Sequence, residues 1–331
     1  MRALAVCCVA TATALNVQRR NVLGGAATAA LAVAPATAAQ TPAVGFGLYK
    51  TPESDAEDAV GLALAAGVRH FDTAAAYGNE AALGRALRAS GLPRSELFVA
   101  TKIDAKAPVR DQVAAAAERL KLAPDCVSLH APLAPKATRL GAWAALADAK
   151  RDGLTASIGL ANFGARHMDE LLAVGPAPAL VQLEISPYAQ RPAETAWAKK
   201  RGAAVSCAAW SKLSGSWNWG SDAAFRTLAG TAKAHGATKA QVLVRWAFQR
   251  GFVALPRSGT SDSAQRLAIA QNSLAGVSDG EYWKDGPLTR AEMRALDGLE
   301  VGLASGRLGR TDGWEEKDVT GLDWDPTTYV G

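Results

Sequence analysis

The sequence predicts an α/β protein built as a parallel (β/α)8 barrel, and three observations carry that expectation. From residue 43 onward eight short β-like runs recur, each followed by an amphipathic helical pattern. The chain beyond its N-terminal segment is about 290 residues long, which suits eight such units better than an open sheet does. The residues with reactive side chains fall at the ends of the runs, where a barrel of this kind places its chemistry. An open, doubly wound sheet is the competing architecture.

The runs are "AVGFGL" (43–48), "RHFDT" (69–73), "LFVATKI" (97–103), "CVSLHA" (126–131), "ASIGLA" (156–161), "ALVQLE" (179–184), "AVSCAAW" (204–210) and "FVALP" (252–256). Between them lie helical patterns such as "DAEDAVGLALAAG", "VRDQVAAAAERLK" and "ATKAQVLVRWAFQRG". An extra helix, "DAAFRTLAGTAKAHG" (222–236), precedes the seventh barrel helix, and the last 45 or so residues form a tail. No linker, repeat or charge block divides residues 39–331, so one domain is expected there.

Residues 1–38 read as an address rather than as fold. "MRALAVCCVATATALNVQ" is small, Arg-bearing and free of acids, as transit peptides are. Next come the twin Arg19 and Arg20, an apolar run, and the small-residue pattern Ala36-Thr37-Ala38. The tandem predicts delivery to a plastid and then to the thylakoid lumen, with bacterial-type twin-arginine export as the alternative. No stable membrane span is expected once the leader is removed. The formal charge is +5, but the leader's three Arg account for most of it, leaving 33 basic against 31 acidic residues. That balance gives nucleic-acid binding no electrostatic support. Cys126 and Cys207 lie in apolar runs and read as packing residues, and neither CxxC nor HExxH occurs, so no metal site is expected.

The chemistry starts from "FDTAAAYGNE" (71–80). Asp72 and Tyr77 cannot share one short strand, but both reach one pocket if Asp72 ends a strand and Tyr77 lies in the following loop. A tyrosine hydroxyl, with its ordinary pKa of ~10, is a feeble acid and base alone. A nearby ammonium favours its anion and draws it toward working pH. Lys102, at the end of the third run, can supply that charge, and Asp72 can anchor Lys102 as an ion pair. His130, at the end of the fourth, adds a neutral donor able to hold a substrate oxygen. Such a phenol can give a proton to a carbonyl oxygen while another group delivers hydride.

The motifs "VGFGLY", "FDTAAAYGNE", "TKI", "SLHAP", "IGLANF", "VQLEISPY", "AWSKLSGS" and "LPRSGT", in this order from about residue 42 to 300, resemble those of the aldo-keto reductases. The resemblance implies a barrel with NADP(H) extended across the strand ends, and Asp72, Tyr77, Lys102 and His130 as a catalytic tetrad. It makes Asn162 and Gln182 partners of the nicotinamide carboxamide. It puts Trp210 against the nicotinamide ring, where the family usually has Tyr. Gly47, Leu48, Ser211 and Leu213 join the cofactor site by the same likeness. Arg257, Ser258 and, further along, Arg266 fall where the family holds the 2′-phosphate, which an arginine fork suits. The implied partner is a small-molecule carbonyl, and a monomer is expected.

Three whole segments also depart from the family pattern. The hairpin usually found ahead of the first strand is missing, the segment after Ser258 is longer, and the tail matches none of the family's. Tyr49, Asp104 and Ala131 fall on the substrate pocket, the last two where many members carry Trp. A wider, more polar pocket is therefore expected. "GFG" at 45–47 is no dinucleotide fingerprint, since GxGxxG is incomplete. The alternative function is a cofactor-binding barrel that serves as a redox-sensing or partner-binding subunit with little turnover.

Overall fold

The structure is a computed structural model, and it describes residues 41–208, 223–256 and 287–299. The leader, Trp210, Ser211, Leu213, Arg257, Ser258, Arg266 and the tail beyond residue 299 lie outside the described residues.

Each of the eight runs contains a strand: β1 Phe46–Gly47, β2 His70–Asp72, β3 Phe98–Ile103, β4 Cys126–Leu129, β5 Ser157–Ala161, β6 Leu180–Glu184, β7 Ala204–Ala208 and β8 Val253–Ala254. They pair in chain order, every pair parallel. The ring closes between its ends: Gly45 N donates to Ala254 O at 2.8 Å, Ala254 N to Ala43 O at 2.8 Å, and Gly47 N to Pro256 O at 2.9 Å. A closed ring has no strand edge, so each of these backbone groups finds a partner within the sheet.

Helices follow the strands: α1 Glu53–Ala65, α2 Glu80–Ala89, α3 Val109–Leu120, α4 Lys136–Arg151, α5 Ala165–Leu171, α6 Pro192–Lys200, α7 Ala223–Ala234, α8 Lys239–Gln249 and α9 Arg290–Asp297. The extra helix expected before the seventh barrel helix is α7. Local chemistry sets several ends. Thr238 accepts from Gln241 N at 3.2 Å while Gln241 Oε1 accepts from Thr238 N at 2.7 Å, a reciprocal cap that starts α8. Thr289 and Glu292 do the same for α9. Lys150 and Arg151 sit in the last turn of α4, where the helix dipole favours cations. No described helix is long and apolar enough to cross a membrane.

Along the strands side chains alternate between two faces. Val127, Leu129, Ile158, Leu160, Val181 and Leu183 join the large core under the helices with Trp143 and Trp246. The positions between them face the barrel interior, where Phe98, Ala100, Cys126 and Leu180 form a separate small cluster. Space there is tight. A Cβ on Gly159 would lie 2.5 Å from Ser128 Oγ and 2.8 Å from Leu180 O, so only glycine fits. Cys126 and Cys207 are free, buried thiols, and burial pushes Cys126 up to about 11, which keeps it protonated.

Candidate active site

Asp72 is the last residue of β2, and the chain then turns through a single 3-10 turn, Ala75–Tyr77. Gly78, at φ 69, ends that turn in the left-handed region that glycine adopts without strain. The carboxylate and the phenol thus reach the same end of the barrel from one strand and its loop. Lys102 comes from β3 and is 1% exposed. Its Nζ donates to Asp72 Oδ1 at 2.5 Å and to Thr73 O at 2.9 Å. The ion pair is almost wholly dry, so removing either partner would strand a charge.

Lys102 Nζ stands 5.4 Å from the centre of the Tyr77 ring. The His130 ring meets Tyr77 edge-on at 5.6 Å between centroids, and Tyr49 lies on another side at 5.3 Å. Tyr49, Tyr77 and His130 are half-buried, whereas Asp72 and Lys102 are buried beneath them. Burial first, then the Lys102 ammonium, lower the His130 imidazole to about 3, so at neutral pH it is uncharged. Asn162 follows β5 with φ 63, a left-handed conformation that Asn tolerates, and its Nδ2 donates to His130 O at 3.0 Å. Gln182, buried on β6, donates from Nε2 to Asp72 Oδ2 at 2.8 Å. Leu48 N donates to Asp72 O at 2.9 Å, which fixes β1's end beside the same carboxylate.

Asp72, Tyr77, Lys102, His130, Asn162, Gln182, Tyr49, Gly47 and Leu48 are therefore gathered at the carboxyl ends of the strands. Ala131, half-buried, follows His130 directly. Asp104 is exposed, and its Oδ1 accepts from Lys106 N at 2.9 Å, closing the turn after β3. Gln112, from α3, braces that turn by donating to Asp104 O at 2.8 Å.

Sequence reasoning missed the groups that hold these loops in place. Asn79 is fully buried; its Nδ2 donates to Leu48 O at 3.0 Å and Thr51 O at 2.9 Å, and its Oδ1 accepts from Thr73 Oγ1 at 2.6 Å. One side chain thus ties the loop of Tyr49 to the loop of Tyr77. Glu80, also buried, accepts from Thr101 Oγ1 and Arg119 Nε, both at 2.6 Å. The available signal was the polar pair Asn79-Glu80 following a loop glycine, which fits neither an apolar face nor an exposed cap. Arg139 donates to the carbonyls of Pro132 and Ala134 and pairs with Glu170 at 2.9 Å, pinning the loop behind His130 to α5.

The Aldo/keto reductase family model matches residues 43–275. An aldo-keto reductase of Mycolicibacterium vanbaalenii is 38% identical over 79% of this chain and 89% of its own. A methylglyoxal reductase of Escherichia coli is 34% identical over 72% and 90%, and a morphine 6-dehydrogenase of Pseudomonas putida 33% over 80% and 90%. The crystal structure of an aldo/keto reductase from Brucella melitensis superposes with a TM-score of 0.67 at 27% identity, covering 78% of this chain and 94% of that one. Match, relatives and barrel agree: the chain belongs to the aldo/keto reductase family of oxidoreductases.

Proposed function

We propose that this protein reduces an aldehyde or ketone to an alcohol with NADPH, using Tyr77 as the proton donor. The observation that carries the reading is the dry Lys102–Asp72 pair beside the Tyr77 ring, next to an imidazole held neutral. A histidine lowered to about 3 is not an imidazolium at neutral pH, so His130 is assigned to orient the carbonyl through its one N–H and the acid role to Tyr77. Two hydrogens of the Lys102 ammonium go to Asp72 and Thr73, and the third remains on a nitrogen that stands 5.4 Å from the centre of the Tyr77 ring. There it stabilises the phenolate that proton release leaves behind.

The donor set fits a nicotinamide carboxamide. Asn162 and Gln182 are primary amides whose nitrogens are committed to His130 O and Asp72, and their oxygens offer acceptors to a carboxamide NH2. When bound, NADPH supplies the hydride that reaches the carbonyl carbon. Tyr77 Oη gives the carbonyl oxygen its proton, and solvent restores the phenol. By the family likeness Gly47, Leu48, Trp210, Ser211 and Leu213 would complete the cradle. By the same likeness Arg257, Ser258 and Arg266 would take the 2′-phosphate, which is the basis for proposing NADPH over NADH.

Relatives act on methylglyoxal in one case and morphine in another, so substrate range belongs to the pocket walls, here Tyr49, Ala131 and the Asp104 loop. The protein acts as a monomeric single domain after loss of its leader near Ala38, in a plastid lumen or an equivalent exported compartment. A start near Ala39 in the protein from its source would fit, and one at Met1 would not. Loss of NADPH absorbance with a panel of aldehydes tests the function itself. Tight nucleotide binding without turnover on any of them would favour the cofactor-sensing alternative.

A further inference from the structure

We propose that Gln182 is a positioning residue that reaches across the barrel to hold the Asp72 carboxylate, so that two opposite walls fix the ion pair beside Tyr77. Gln182 is on β6 and Asp72 on β2, half the ring apart in an eight-stranded barrel. Their side chains meet in its interior at 2.8 Å, while Lys102 takes the other carboxylate oxygen from β3 at 2.5 Å. A carboxylate held by one oxygen can turn with its partner; held by both, it cannot. The residue type suits the task. An amide donates a hydrogen to Asp72 without a charge to compete for Lys102, where a carboxylate would repel and an ammonium would divide the pair. The amide oxygen stays available as an acceptor, so a bound carboxamide is linked through Gln182 to the carboxylate that anchors Lys102. This rests on the reading of Asp72, Lys102 and Tyr77 as catalytic, but the contact is tested without substrate or cofactor, so either idea can fail alone.

The test uses thermal unfolding of the cofactor-free protein. Gln182→Glu sets a second buried carboxyl against Asp72, and with only the Lys102 ammonium to balance two carboxylates the folded variant favours keeping one proton between them. Retaining that proton raises the folded-state titration above the unfolded one, so stability is full at low pH and lost as pH rises. Relative to the native protein, the Tm of Gln182→Glu should fall by about 5 °C or more between pH 5 and pH 8. Gln182→Met, which stays neutral, should show no such trend. In Asp72→Asn/Gln182→Glu the trend, taken against Asp72→Asn alone, should shrink by more than half, because the amide at position 72 can donate to the carboxylate at position 182. An undiminished trend would mean the new acid responds to burial alone and would overturn the proposal. If Gln182→Glu does not fold at any pH, recovery of folding in the double variant supports the contact, and failure of both overturns it.

Discussion

The two faces of the barrel strands obey different rules although they alternate along the same few residues. On the outward face of β4, β5 and β6 stand Val127, Leu129, Ile158, Leu160, Val181 and Leu183, packed under the helices in one large core. One position away, inside the ring, stand Asp72, Lys102, Ser128, Gln182 and Ser206, all buried and all polar or charged. Fully parallel sheets usually read as continuous apolar runs, because both faces are covered by apolar layers. Here the inner face is covered by the barrel itself, and Lys102, Asp72 and Gln182 are admitted there because they satisfy one another. The outer face stabilises the fold by volume, and the inner face places charge.

Exchanging residues across that divide separates the two roles. The largest effect is expected inside. Lys102→Met removes the ammonium from Tyr77 and leaves the Asp72 carboxylate buried without its ion pair. Turnover per folded molecule should fall by about 10²- to 10⁴-fold, with a stability loss of roughly 3–5 kcal/mol, read by steady-state assay and urea unfolding. Leu160→Ala, on the outer face, should cost about 2–5 kcal/mol in the same unfolding experiment. Its turnover per folded molecule should stay within about twofold at a temperature where it is folded. Equal catalytic damage from both variants would erase the distinction between the faces.

A pH experiment sharpens it. His70 lies inside the ring below Asp72, and burial, opposed by the Asp72 charge, lowers it to about 4. The unfolded chain binds the proton more readily, so the stability from keeping His70 neutral is complete above about pH 6.5 and lost as pH falls toward 4. That loss is roughly 3 kcal/mol, and it should be absent from His70→Gln when unfolding midpoints are followed from pH 7 to pH 4. Parallel curves for the two proteins would show that His70 is not held neutral in the barrel. The smallest effect belongs outside the ring, at Asp104. Asp104→Asn keeps the oxygen that accepts the Lys106 amide and removes one exposed, salt-screened charge. It should favour anionic over neutral aldehydes by at most about threefold in kcat/KM, and the difference should vanish in high salt. A tenfold change would place the carboxylate in the pocket.

The apolar runs that made the strands legible also made the cluster at their ends legible. "CVSL" and "LVQL" announce their faces residue by residue, and Asp72, Lys102 and His130 stand out because a charged or polar group closes an apolar run. Tyr77 was legible because its place in the loop follows from where Asp72 ends β2. The contacts that hold these groups were not. Gln182 meets Asp72 across 110 residues of chain, and nothing local to either says so until the ring closes. Asn79 bonds carbonyls 28 and 31 residues before it, and backbone acceptors carry no sequence signal. At Asp104 the hydrogen bond to the residue two places on was not read from the sequence either, although it reflects the local turn-forming habit of Asp.

The central claim is that Tyr77 gives the proton and does nothing for the nucleotide. Tyr77→Phe removes one oxygen and leaves the ring against Tyr49 and His130. The measurement is NADPH oxidation with the best aldehyde found, paired with fluorescence titration of NADPH binding in the same preparation. The account expects kcat to fall by at least about 10²-fold while the Kd for NADPH stays within about twofold. Turnover close to that of the native protein, or nucleotide binding lost together with turnover, would contradict it.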